Sequence, residues 1–169
     1  MVIHPTFKTR LAAIAAVAVF AAPMPAAAAT TNVTVKATLL KTLTLAAKQD
    51  FDFGQILLPS SGSAVTMSIS TTGVVTCPAP LICSGTPKPA IFNAQGSNQQ
   101  VVRVTAAPVN LTNAAGNVLV FTPIVPSNFT LTNSGFPGSD FGVGGSITVS
   151  PTTADGVYSG TLQVTADYQ

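Results

Sequence analysis

The chain has 169 residues, of which only 7% are charged; it carries seven Lys or Arg, five Asp, no Glu, no Trp and one His. So sparse a charge offers no basic patch for nucleic acid or for a membrane surface. With the lone imidazole at His4, the rest of the chain has no Ser-His-Asp triad, no Cys-His pair and no imidazole metal site.

Met1 to Arg10 contains Lys8 and Arg10 and no acid, Leu11 to Ala22 is an unbroken apolar run, and Pro23, Pro25 and Ala26 to Ala29 follow. This charged, apolar, small-residue order predicts a secretory signal peptide over residues 1–29, cleaved after Ala29. The apolar run is shorter than the roughly 20 residues that span a bilayer, so no membrane insertion is expected. Cleavage would remove His4, Lys8 and Arg10. It leaves Lys36, Lys41, Lys48, Lys88 and Arg103 against Asp50, Asp52, Asp140, Asp155 and Asp167, a net charge of zero. Residues 30–169 have the length of a single domain.

No run after Ala29 repeats at helical spacing, whereas period-2 alternation recurs. Val33, Val35, Ala37 and Leu39 alternate with Asn32, Thr34, Lys36 and Thr38; Leu43 and Leu45 follow. Phe51 and Phe53 alternate with Asp50 and Asp52, which are expected to be solvated outward positions. Val65, Met67 and Ile69 form the next strand pattern. Cys77 and Cys83 flank a Pro-bearing loop, and in an exported chain such a pair predicts one structural disulfide. Val102, Val104 and Ala106, then Ile147 and Val149, continue the alternation. Turn signals fall at Pro59 to Gly62, Thr72-Gly73, Ala115 to Asn117, Phe136 to Gly138, Gly144-Gly145 and Asp155-Gly156. Gly142 to Gly145 contains a GxG, but no strand-then-helix context surrounds it, so a glycine-rich turn is expected there. Phe92, Phe121 and Phe129 are expected in the core; Phe136 and Phe141, in a glycine-rich loop, are the candidates for exposed aromatic contacts. Along the last strand Tyr158, Leu162, Val164, Ala166 and Tyr168 share one face. Three N-x-T sequons occur at Asn32, Asn110 and Asn128, and chance matches are expected in a chain rich in Asn and Thr. Seven to nine strands in one domain predict an all-β, Ig-like, two-sheet antiparallel sandwich.

Two segments carry a resemblance. One runs from Leu43-Thr44-Leu45 to Asp50-Phe51-Asp52-Phe53-Gly54. The other runs from Val143-Gly144-Gly145-Ser146-Ile147-Thr148-Val149 through Asp155-Gly156-Val157-Tyr158-Ser159-Gly160 to the terminal Tyr168-Gln169. Together they resemble the bacterial secreted domain-of-unknown-function family forty-four-oh-two, itself distantly similar to spore coat protein U-like subunits of archaic chaperone-usher pili. The Cys pair departs from the coat-protein-U pattern, in which a Cys near the first strand bonds to one further on.

The resemblance implies a pilin-like structural subunit of a surface fibre or coat. It would pass through the periplasm to the cell surface, served by a periplasmic chaperone and an outer-membrane usher. Its partners would be copies of itself or homologous subunits; separately, with His4 cleaved away and no Glu, no catalytic activity, cofactor or metal is expected. In such assembly a neighbour's N-terminal extension fills a groove left by a missing strand. Thr31 to Leu39 would be the donor, with Val33, Val35, Ala37 and Leu39 as plugs, and the strand bearing Tyr158, Leu162, Val164, Ala166 and Tyr168 would line the groove. Alternation alone equally allows Thr31 to Leu39 to be the first strand of its own sandwich. A monomeric β-sandwich module binding carbohydrate or a surface is the other class that the chain allows.

Overall fold

The computed structural model describes residues 27–169. Most of the expected signal peptide, residues 1–29, lies outside them. Thr38–Gln169 forms one compact unit. The described residues ahead of it, 27–37, contain no strand and are exposed.

The compact unit is all-β, and every pairing between its strands is antiparallel. Its twelve strands are β1 (Thr44–Gln49), β2 (Gln55–Leu57), β3 (Val65–Ile69), β4 (Val75–Thr76), β5 (Ile82–Ser84), β6 (Ala90–Gln95), β7 (Val101–Ala106), β8 (Val109–Thr112), β9 (Val118–Ile124), β10 (Asn128–Thr130), β11 (Ser139–Val149) and β12 (Val164–Tyr168). They outnumber the seven to nine expected because several runs are only two or three residues long. The large sheet has the order β1-β6-β11-β3-β4, and β9 pairs β11 and carries β8. Facing it are the three-stranded sheet β10-β7-β12 and the ribbon β2-β5. This is an Ig-like sandwich.

Alternation becomes burial where the pattern is clean. In β3, Met67 and Ile69 are buried while Thr66 is exposed; in β7, Val102 and Val104 are buried between exposed neighbours. The core has two parts. Towards one pole, Ala90, Ala94, Phe141 and Val143 of the large sheet meet Val102, Val104 and Leu131, joined by Val164, Ala166 and Tyr168. Towards the other pole, Met67, Phe121, Ile147 and Val149 form the second cluster, with Leu81, Phe51, Phe53 and the half-cystines around it. Cys77 and Cys83 are bonded to each other, and Cys83 Sγ lies 3.5 Å from Met67 Sδ.

Two expectations fail in the same strand. Gly142 to Gly145 is not a turn; it lies in the middle of β11, the longest strand. These glycines are there for close approach. A Cβ on Gly142 would collide with the Thr71 carbonyl, one on Gly144 with the Ile69 carbonyl, and one on Gly145 with the Phe121 ring. Phe141, expected on an exposed loop, is accordingly in the core at 7% exposure, stacked on Phe92 and tilted against Phe129. Phe136 is exposed as expected.

The strand predicted from Tyr158 onward is paired only from Val164. Its neighbour β7 ends at Ala106, and Pro108, which has no N–H to give, separates it from β8. Upstream of Val164 the last run pairs with the body, backbone to backbone, where Ser159 and Thr112 exchange hydrogen bonds of 2.9 and 3.1 Å.

Candidate functional site

The second layer of the sandwich is incomplete over the second cluster. A groove of about 710 Å³ opens there. Its floor is Val109 and Leu111 of β8, Leu119 and Phe121 of β9, and Ile147 and Val149 of β11. One wall is the run from Phe51 to Leu58, and the other is the run from Thr153 to Leu162. Val109, Leu111, Leu119, Ile56, Leu58 and Leu162 are half-buried, so the apolar floor and walls are partly open to water.

One wall carries the unpaired edge of β2, and the other is a run in no strand whose backbone is largely unpaired. Asp52 pairs with Lys88 (3.0 and 2.8 Å) and β2 pairs with β5, both on one side. In the opposite wall, the two bonds of Ser159 to Thr112 are the backbone pairs made by residues 154–163. Gly160 lets this run lie close to β8: a Cβ there would come within 2.8 Å of Leu111 Cδ2 and 3.0 Å of the Asn110 carbonyl. An apolar trough flanked by unpaired backbone is what a guest β-strand requires. Its backbone pairs with an edge and alternate side chains fill the trough.

Of the residues expected to line such a groove, Tyr158 and Leu162 do so. Tyr158 is fixed by its hydroxyl, which donates to the Ala154 carbonyl at 2.8 Å. Val164, Ala166 and Tyr168 lie further along and pack against the first core cluster. The floor residues Val109, Leu111 and Leu119 were not singled out by sequence reasoning. Val109 and Leu111 do alternate with Asn110 and Thr112, but Val118 to Phe121 is apolar at every position, which hides which side faces the trough. Val33, Val35, Ala37 and Leu39 are all exposed and in no strand; Val35 is 88% accessible. The first strand of the sandwich is β1.

Little else has chemical character. Asp50 and Asp52 are exposed, and Asp52 accepts the Gly54 N–H at 2.8 Å as a local turn. Among the described residues no three His, Cys, Asp or Glu side chains come together in a way that could hold a metal. Lys48 pairs with Asp140, and Asn93 donates to the same carboxylate at 2.6 Å. These hydrogen bonds, from Lys48 first and Asn93 second, hold the Asp140 carboxyl below its ordinary pKa. Asn32, Asn110 and Asn128 are exposed.

The geometry defines a class, an Ig-like β-sandwich with an open apolar groove. The chain belongs to the family described as Domain of unknown function (DUF4402), whose model matches residues 43–168. No curated protein and no solved structure gives a significant match.

Proposed function

We propose that this protein is a secreted structural subunit of a surface fibre or coat, assembled by strand donation between copies or with homologous subunits. In this reading residues 1–29 direct export, and the subunit crosses a periplasm, where a chaperone shields the groove before an outer-membrane usher releases it. The subunit has no catalytic role. Thr31 to Leu39 of one copy lies in the groove of the next, with Val33, Val35, Ala37 and Leu39 on the floor side. The observation that carries the reading is the pairing of two unsatisfied features in one chain. One is the apolar groove of about 710 Å³, flanked by the unpaired edge of β2 and the run 154–163, whose backbone is largely unpaired. The other is an alternating segment whose apolar side chains stand in water. Each is costly alone; apolar area buried gains about 25 cal/mol per Å², so seating four plugs gains up to several kcal/mol.

Assembly of the exported protein tests this. Negative-stain microscopy of concentrated wild-type protein should show fibres. The form lacking Thr31 to Leu39 should give none, yet should still take up a peptide of that sequence. A full-length protein that stays monomeric and ignores the peptide would refute strand donation and leave a monomeric binding module as the reading.

A further inference from the structure

The base of the N-terminal segment is fastened to one pole of the sandwich. The Lys41 N–H donates to Ser97 Oγ at 2.7 Å, and the Lys41 carbonyl accepts the Tyr168 hydroxyl at 2.8 Å. The same Tyr168 oxygen accepts the Ser97 N–H at 2.8 Å. Gly96 makes room for this clasp, since a Cβ there would collide with the phenol oxygen. The groove belongs to the other half of the molecule. Leu162, its last wall residue, is six residues of extended chain before Tyr168, about 20 Å at 3.3 Å per residue.

Next to the clasp, the loop between β10 and β11 displays Phe136 at 89% exposure. That loop is stiffly held. The Gly135 N–H donates to the Gly96 carbonyl (3.0 Å), Ser134 Oγ accepts the Asn98 N–H (2.9 Å), and Asn133 bonds both the N–H and the carbonyl of Gly138 (3.0 Å each). Gly135 faces the Lys41 ammonium: a Cβ built on it would lie 3.8 Å from Nζ. A large apolar side chain is thus presented rigidly beside the point where the extension leaves the body.

We propose that Phe136 is a second contact between subunits, packing on the body of the copy whose groove holds this copy's extension. The inference rests on the strand-donation reading and adds a surface to it. Its basis is tether length. Leu39, the last plug, is two residues from the fastened Lys41, a reach of about 7 Å. A neighbour that seats Leu39 must therefore stand against this pole, and Phe136 projects from it. The occupant is a second copy of this chain, because the groove that fits the plugs is its own.

The test uses the full mature chain, wild type and Phe136→Ser. Phe136 is exposed, so the substitution should leave the melting temperature of the dissociated subunit unchanged. A labelled Thr31 to Leu39 peptide has no pole attached and should bind both proteins equally. The concentration at which Phe136→Ser assembles, followed by light scattering, should rise about tenfold, the loss expected for a Phe removed from a joint. Equal assembly of the two proteins, with peptide binding intact, overturns the second contact and leaves strand donation standing. Failure of the peptide to bind either protein, each taken as dissociated subunit below its assembly concentration, overturns both.

Discussion

Replacing Val35 by Asp separates the free subunit from the assembled one. In the lone chain Val35 is 88% exposed, so Val35→Asp should change subunit stability by no more than about 0.5 kcal/mol. In a groove floored by Val109, Leu111, Leu119 and Phe121, the same substitution loses the burial of a valine, about 1.5 kcal/mol. It also brings a carboxylate into a site whose floor offers no polar side chain; even counted at the low end, this adds about 1.5 kcal/mol. The total of about 3 kcal/mol is about a hundredfold in affinity. Fluorescence anisotropy can read this directly. Labelled Thr31 to Leu39 peptide, with and without the substitution, is titrated with full-length Val35→Asp protein, whose own segments compete poorly. The wild-type peptide should bind about a hundredfold more tightly. Equal binding would refute the reasoning, as would a several-degree drop in the melting temperature of a monomeric Val35→Asp subunit, which would mean that Val35 is packed in its own sheet.

Gly144→Val should destabilise the fold by about 1–3 kcal/mol or more in chemical denaturation, because its Cβ would press on the backbone at Ile69, Ser70 and Thr71; an unchanged midpoint would contradict the close approach of β11 to that loop. Cys83→Ser opens a loop of sequence separation six and should cost about 2 kcal/mol without abolishing the fold; in the wild-type protein, thiol titration under denaturing, non-reducing conditions should find no free thiol. The folded Asp140 carboxyl titrates below its ordinary value, so its contribution is present at neutral pH and is lost as acid brings the pH down through the lowered pKa. Asp140→Asn should therefore flatten part of the acid limb of the stability profile, and a superimposable acid limb would show that the Lys48 and Asn93 bonds do not hold in solution.

The fold class and the inward residues of β3, β7 and the end of β11 were legible in the sequence, because one apolar face against one wet face imposes a period of two. The Cys77–Cys83 bond was legible from residue count and expected export. The glycines of β11 misled because glycine serves two purposes: it marks turns, and it admits a neighbouring backbone. Only the tertiary approach of Thr71, Ile69 and Phe121 distinguishes them. The groove was half legible. Tyr158 and Leu162 line the groove, though the strand expected to carry them forms only from Val164. The floor was hidden, because Val118 to Phe121 is apolar on both faces and no local pattern shows which face the open trough takes. The clasp of Lys41, Ser97 and Tyr168 joins residues far apart in the chain, and no local pattern announces it.

Amide hydrogen exchange along the groove wall tests strand donation most directly. Full-length Val35→Asp protein is compared alone and with saturating wild-type Thr31 to Leu39 peptide. The account predicts that amides in residues 157–163, where Ser159 alone now makes a backbone pair, become strongly protected when the peptide adds a strand to that edge. A control peptide with Asp at positions 33, 35, 37 and 39 should give no protection. If the wild-type peptide leaves exchange in residues 157–163 unchanged, the groove does not receive this segment and the central claim is wrong.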